Sequence, residues 1–297
     1  MLGTLEAVAL AALASVCWAQ PGRPNAGDLA AAETALAKLE PEIARAQTAW
    51  EKSAEARAAQ VDWSITRGLV VFRRLAGYNR FDGKRVIDVD LENEEAVRFG
   101  NRSKFTLSAW ILSKASSGAI LTRSKNITER PGYGLALQDG KAQFNLVHQW
   151  QDDALRVEME PLVGNGQWHN VTATYDGSGK AAGIRMYLDG RPQKVKVSLD
   201  GLHGSFETQD PLFIAGGAGP DANFRGQIRG VRLYQAVLND EEAMIIATDT
   251  PVDEIAQIPP EKRSRGESQK IRFYFLERGA PPGIRDAWQR VMDLRNR

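Results

Sequence analysis

Two acidic stretches are the first candidates for chemistry in this chain. Asp88-Val-Asp90-Leu-Glu92 and Glu158-Met-Glu160 alternate carboxylates with apolar residues, and a strand sends alternate side chains to one face. Two carboxylates about 5 Å apart can cleave a glycosidic bond, one attacking the sugar while the other gives and retakes a proton. Alternating acids are also common on any wet strand face. The second pair runs straight into Pro161. Solvated rim charges are the better reading.

Other reactive constellations fall away quickly. His148 has no second ligand close by in the chain and reads as a surface or half-buried histidine. Gly216-Gly217-Ala218-Gly219-Pro220 has the glycines of a phosphate loop but lacks the following Lys-Ser/Thr, so it reads as a turn. No Gly-x-Ser-x-Gly nucleophile elbow occurs. Asn101-Arg-Ser, Asn126-Ile-Thr and Asn170-Val-Thr match the glycosylation sequon, a weak pattern that is given no weight. One cysteine, Cys17, excludes an internal disulfide, a Cys-rich zinc site and a Cys-x-x-Cys-His haem attachment.

Binding chemistry is better represented. Gln143, Asn145, Arg156, Asn170, Thr172, Thr174, Arg185 and Tyr187 supply amides, hydroxyls, guanidinium groups and an aromatic ring. Sugar recognition uses directional hydrogen bonds of this kind beside a flat apolar face. They form one surface only if their strands are neighbours, and a merely solvated outer sheet carries the same residue types. Trp150 shares a parity with Phe144 and Leu146 and is expected in the core.

The elements that must position these residues are strands. From about Trp63 to Tyr234 the hydrophobic period is two. Val171, Ala173 and Tyr175 alternate with Asn170, Thr172 and Thr174; Ile184, Met186 and Leu188 alternate with Arg185 and Tyr187. Asp-Gly pairs at 82–83, 139–140, 176–177, 189–190 and 200–201 are each the favoured dipeptide of a tight hairpin. Strands with one apolar and one wet face belong to stacked antiparallel sheets, and their number points to a jelly roll.

Helical patterns flank this region. Between Asp28 and Gln60, Leu29, Leu36, Ile43 and Trp50 recur every seventh residue, which predicts a helix with one narrow stripe, interrupted at Pro41. Asn239-Asp240-Glu241-Glu242 is a helix start. Gln269–Glu277 and 284–295 read as two further helices, the last with a stripe of Ile284, Trp288 and Met292. Each stripe is too narrow to be a core alone, so the flanks are expected to bury against each other or the sandwich. Residues 1–20 read as an export signal, with an apolar run from Leu10 to Ala19 that is too short to span a membrane. The expected division is signal 1–20, helical flank 28–60, jelly roll 64–248 and helical flank 253–297.

Five motifs follow one another in order: Phe105-Thr-Leu-Ser-Ala-Trp110-Ile, Gly132-Tyr-Gly-Leu-Ala-Leu137, Gln167-Trp168-His169 through Asp176-Gly, Met186-Tyr-Leu-Asp189-Gly-Arg, and Phe224-Arg-Gly226 through Tyr234. This set resembles the laminin G-like, concanavalin A-like lectin/glucanase jelly roll over about residues 64–248. The resemblance implies a packing role for the segment holding His169. The flanks are similar to those of large planctomycete- and acidobacteria-type exported proteins, where such a jelly roll lies between helical and haem-binding cytochrome-like modules. Here no haem motif exists, and the chain looks like the middle of such a protein. Glucanases of the superfamily carry a Glu-x-Asp-x-x-Glu strand, which neither acidic stretch reproduces. Many of its sandwiches bind calcium at a rim, with ligands from a Phe-Asp-Gly turn and an Ile-Asp-Asp-Val segment. Asp82 keeps the first part, but Ile228-Arg229-Gly230-Val231 puts a guanidinium where acids are expected. No calcium is therefore expected, with Arg229 free to pair with Asp82; if a metal binds, Asp82 is the ligand, with Asp88, Asp90 or Asp221 as substitutes.

The expected function is a non-catalytic module that recognises glycans on its polar sheet face. The alternatives are a structural or protein-interaction module of an exported assembly and a degenerate glycoside hydrolase. Thirty-eight Lys+Arg against 37 Asp+Glu give a net charge of +1, so nothing draws the chain to nucleic acid or to anionic lipid. No cofactor is expected, the partners are glycans or other protein modules, and the location is periplasmic or extracellular.

Overall fold

The computed structural model describes residues 26–58, 63–77, 79–219 and 222–296. The expected signal segment and Asp221 lie outside them. Fourteen strands are seen among the described residues: β1 Leu69–Arg74, β2 Arg80–Asp82, β3 Ile87–Asp88, β4 Phe105–Leu112, β5 Gly118–Arg123, β6 Gly132–Gln138, β7 Lys141–Gln149, β8 Asp153–Leu162, β9 Trp168–Tyr175, β10 Ile184–Leu188, β11 Arg191–Gln193, β12 Val195–Asp200, β13 Leu212–Ile214 and β14 Arg225–Tyr234. They make two antiparallel sheets. Sheet A runs β1-β14-β4-β9-β10-β11, with β2 also on β14; sheet B runs β12-β8-β7-β6-β5-β13-β3.

The two-residue period is what lets these sheets stack. Leu107, Ala109 and Ile111 of β4 and Val171, Ala173 and Tyr175 of β9 face Leu135, Phe144, Leu146, Leu155 and Val157 of sheet B in one buried core. Phe105, at its centre, stacks on Phe99 with centroids 4.4 Å apart and also meets Tyr133, Phe144 and Tyr175. The polar alternates are turned to the two outer faces.

Only two of the five Asp-Gly pairs are two-residue hairpin turns of the expected kind. Asp139-Gly140 joins β6 to β7 and Asp189-Gly190 joins β10 to β11, both with positive φ at each residue (51° and 75°; 50° and 74°). That geometry matches the strand twist and favours Asp-Gly. Asp82-Gly83, Asp176-Gly177 and Asp200-Gly201 sit in wider connections that leave one strand for another element.

The helices are α1 Ala26–Lys38, α2 Glu40–Glu51, α3 Ala54–Arg57, α4 Asp240–Ile246, α5 Val252–Gln257, α6 Arg265–Tyr274, a π-turn Phe275–Gly279 and α7 Pro282–Asn296. The break between α1 and α2 falls at Leu39, and Pro41 occupies the first turn of α2, where its missing N–H costs nothing. The N-terminal stripe is the buried face: Ile43 and Trp50 join Ile271, Phe275, Leu276, Ile284 and Trp288 in a second core, with Tyr234 and Leu238 tying it to sheet A. α1 lies against α7. Arg263 clasps Glu51 with two bonds, Nη1 to Oε1 at 3.0 Å and Nη2 to Oε2 at 2.8 Å. The two flanks, far apart in sequence, fold as one helical layer. α6 starts earlier than its apolar pattern suggested because Ser264 and Glu267 form a capping box.

Candidate functional site

The polar residues expected on one surface are divided between two. Asn170, Thr172, Arg185 and Tyr187 belong to sheet A, while Gln143, Asn145 and Arg156 belong to sheet B. Period two states which way a side chain points, not which sheet holds its strand. The single polar layer is corrected accordingly.

On sheet A most of that polar face is sealed. Asn170, Thr172 and Tyr187 are fully buried. Thr172 Oγ1 lies 2.9 Å from Ser108 Oγ and 3.0 Å from Asn170 Oδ1, so these groups satisfy one another. The cover is the segment that leads into α4. Thr106 donates to the carbonyl of Ala236 at 2.7 Å, and Tyr187 donates to Asp240 Oδ1 at 2.9 Å. Burial, reinforced by that bond to Asp240, pushes the Tyr187 hydroxyl up to about 12. Arg185 alone of the four stays exposed, 3.6 Å from Asp240. A sugar has no route to the other three.

Sheet B keeps its outer face open over a small patch. Thr122, Gly134, Asn145, Arg156 and Leu199 form one cross-strand row, and Ala136, Gln143, Glu158 and Lys196 form the next. Gly134 is obligatory in the first row: a Cβ there would lie 2.8 Å from Thr122 Oγ1. Asn145 is 2% exposed, and its Oδ1 has no hydrogen-bond partner among the described residues. Its cross-strand neighbour Arg156 lays its guanidinium 3.9 Å from the centre of the Trp150 ring, and Nη2 donates to the Trp150 carbonyl. The Nε of Arg156 is buried and likewise unpartnered among the described residues. Burial holds the Arg156 pKa below its ordinary value, though a guanidinium stays charged throughout. Gln143 is almost buried in the next row, beside Glu158, whose carboxylate meets Lys141 at 3.4 Å.

Trp150 is not in the main core. It packs with Val147, Ala154, Ile127 and Leu199 in an apolar cluster on the outer face of sheet B. The register between β7 and β8 slips between Val147 and Gln149, and one extra residue reverses the parity of everything after it. That slip carries Trp150 to the face that holds Asn145 and Arg156.

The two acidic stretches do not come together. Asp88 lies on β3 and Glu158 on β8, five strand spacings apart across sheet B, about 24 Å. Asp88, Asp90 and Glu92 are exposed. Asp82 accepts the amides of Lys84 and Arg85 on one oxygen, at 2.9 and 3.0 Å. The bond from Arg85 leads in holding its carboxyl below the usual range. Arg229 does not pair with Asp82; it meets Asp249 at 2.9 Å. Among the described residues no group of three His, Cys, Asp or Glu is placed to hold a metal. His148 Nδ1 lies 2.9 Å from the Ser205 carbonyl, and His169 Nδ1 lies 2.9 Å from Asp189 Oδ2. Both are tied into the scaffold.

A laminin G-type family profile, described as the Concanavalin A-like lectin/glucanases superfamily, matches residues 88–244. The chain belongs to this superfamily. No curated protein matches it. Among solved structures the chain is similar to the Ruminococcus gnavus IT-sialidase CBM40 bound to alpha2,3 sialyllactose, at 14% identity and TM-score 0.47, over 61% of this chain and 100% of that one. It is similar to the binding domain of Paraclostridial Mosquitocidal Protein 1 (16% identity, TM-score 0.42), over 61% of this chain and 52% of that one. It is also similar to mouse laminin alpha1 chain domains LG4-5 (18% identity, TM-score 0.40), over 62% of this chain and 48% of that one. No helix among the described residues is long and apolar enough to cross a membrane.

Proposed function

We propose that this superfamily member is a non-catalytic carbohydrate-binding module of an exported protein, with its sugar site on the outer face of sheet B. The observation that carries this reading is the cross-strand pair Asn145 and Arg156, a buried acceptor and a buried donor without partners among the described residues. An unpaired buried polar group is costly, and a hydroxyl both donates and accepts. One sugar hydroxyl therefore answers Asn145 Oδ1 and Arg156 Nε together. When Arg156 swings off Trp150 to reach it, the ring face is released to the C–H side of the pyranose.

The test is retention of the full chain on immobilised neutral oligosaccharides. Binding is expected to survive high salt, to be competed by the free sugar, and to weaken at least tenfold, about 1.4 kcal/mol, in Trp150→Ala. Arg185→Ala, on the other sheet, is expected to bind like the parent chain. Absence of binding to every neutral glycan, or an equal loss in both variants, overturns the sheet B site. Release of reducing ends would favour the hydrolase reading instead.

A further inference from the structure

The seam between the sandwich and the helical layer holds a pocket of about 200 Å³ that owes nothing to the sheet B site. Its walls come from distant parts of the chain: Arg67 before β1, Glu242 of α4, Phe273 of α6, Glu277 of the π-turn, and Trp288 and Met292 of α7. Ligand sites favour such junctions between packed units. This one is smaller than the pockets of about 300–1,000 Å³ that hold drug-sized molecules. Its occupant is a group of a few heavy atoms.

The helices explain why these side chains converge. Phe273 and Glu277 are four residues apart, as are Trp288 and Met292, so each pair lies along one helix face. Glu277 sits in the π-turn itself, a wider coil that recurs at functional sites. Phe273 and Trp288 meet edge to face, with centroids 4.7 Å apart and planes at 79°. Met292 adds a polarisable thioether to the lining.

Charge decides the class of ligand. Among the described residues that line the pocket, the charged ones are Arg67, Glu242 and Glu277. Arg67 gives two bonds to Glu242 and a third to the Val237 carbonyl at 2.9 Å. Glu242 is thereby answered, and the carboxylate that remains is Glu277. Its Oε2 accepts the Trp63 indole N–H at 3.2 Å, and its Oε1 meets Arg278 Nε at 3.0 Å. Each oxygen keeps a second lone-pair site. The Arg278 side chain is 57% exposed, and an ion pair that wet is weak and easily exchanged. A metal ion would need several more hard oxygens than this lining offers. A cation with its charge spread over methyl groups uses what is there, the carboxylate for its charge and the rings for their negative faces.

We propose that this pocket binds a small organic cation of the alkylammonium class, with Glu277 as its counter-ion and Phe273 and Trp288 as the rings its methyl groups pack on. The ligand then touches α6, the π-turn, α7 and the entry to the sandwich together.

The test is calorimetric titration of the full chain with choline at constant ionic strength. The control is its uncharged isostere, the alcohol with a tert-butyl group in place of trimethylammonium. Choline is expected to bind about tenfold more tightly than that alcohol. Glu277→Gln keeps an acceptor for Trp63 but removes the charge, and is expected to bring choline down to the level of the alcohol. Trp150→Ala, on sheet B, is expected to leave choline binding unchanged. Equal binding of the two compounds, or binding of neither, overturns the proposal. So does an advantage that survives Glu277→Gln or is lost in Trp150→Ala. Arg278→Gln, at an exposed residue, keeps the test open if the Glu277 variant misfolds. With the competing guanidinium gone, choline should bind several-fold more tightly, and an unchanged or lower affinity counts against the pocket.

Discussion

Trp50 occupies the space that a side chain at position 279 would need. A Cβ built on Gly279 would lie 2.5 Å from Trp50 Nε1 and 2.7 Å from its Cε2. The contact joins α2 to the π-turn before α7, so the N-terminal and C-terminal flanks meet at a residue without a side chain. The ring cannot step aside: Tyr274 and Phe275 hold it at centroid distances of 5.7 and 5.6 Å. Gly279→Ala should therefore destabilise by about 1–3 kcal/mol through overpacking, and Trp50→Ala by about 3–5 kcal/mol through the cavity it leaves. Urea unfolding measures both. If both variants melt like the parent chain, the flanks are not held by this contact.

Tyr187 gives a second expectation, at high pH. Its folded-state pKa of about 12 stands above the ordinary tyrosine value, through burial first and its bond to Asp240 second, and burial raises Tyr234 to about 12 as well. A folded pKa raised above the unfolded one gives stability that is whole below about pH 10. That stability is lost as the pH climbs through about 12. Tyrosinate absorbance should lag behind that of free tyrosine and rise together with loss of the native fold. Tyr187→Phe should shift that alkaline unfolding upward. A chain that ionises all its tyrosines near pH 10 while its circular dichroism stays native would sink the argument.

How far the sequence carried this picture depends on what each pattern encodes. Alternation put Val171, Ala173 and Tyr175 in the core and Asn170 and Thr172 outside it, because strand parity is a local property. Strand order is not local. Nothing in Asn170 or Asn145 says that one is on sheet A and the other on sheet B, so the candidate layer broke in two. Nor does a short capped helix starting at Asn239 announce that its approach will seal Tyr187. Trp150 was misplaced by a single slipped residue, which no periodicity count detects. The seven-residue stripe through Ile43 and Trp50 was the opposite case. It showed an apolar face lacking a partner, and the C-terminal helices supply that partner. Arg229 was conspicuous as a cation standing where the resembled family has acids, but its partner, Asp249, is set by the fold and not by the spacing along the chain.

The ion pair of Arg67 and Glu242 ties the start of the sandwich to α4. Arg67 Nε and Nη2 donate to the two carboxylate oxygens at 2.8 and 2.6 Å, with side chains only 10% and 1% exposed. Glu242 also accepts the backbone N–H of Asn239 in the capping box. Removing one partner of such a pair leaves an uncompensated charge, at a cost of about 3–5 kcal/mol. Glu242→Leu should therefore be worse than Arg67→Met combined with Glu242→Leu. A double variant whose loss equals the sum of the two singles would show that the pair is not coupled.

The last expectation concerns calcium at the Phe81-Asp82-Gly83 turn. Calcium takes six to eight oxygens and more than one carboxylate. Asp82 Oδ1 is already engaged by the amides of Lys84 and Arg85. The surroundings are cationic: Arg80 and Arg85 line the same shallow depression, and a Cβ on Gly83 would lie 2.5 Å from Arg225 Nε. The substitute acids are elsewhere, Asp88 on sheet B and Asp90 beyond it, with the Asp90 carbonyl taken by Arg73 at 2.7 Å. An ion placed at Asp82 would thus meet one carboxylate with part of its oxygen already used and several guanidinium groups. A site with micromolar affinity, given a hundredfold excess of calcium, would stabilise the folded chain by about 2.7 kcal/mol. Thermal melting with millimolar calcium is expected to match melting with a chelator, and Asp82→Ala should leave that comparison unchanged. A calcium-dependent rise in melting temperature that disappears in Asp82→Ala would show that the arginines around this turn do not keep the ion out.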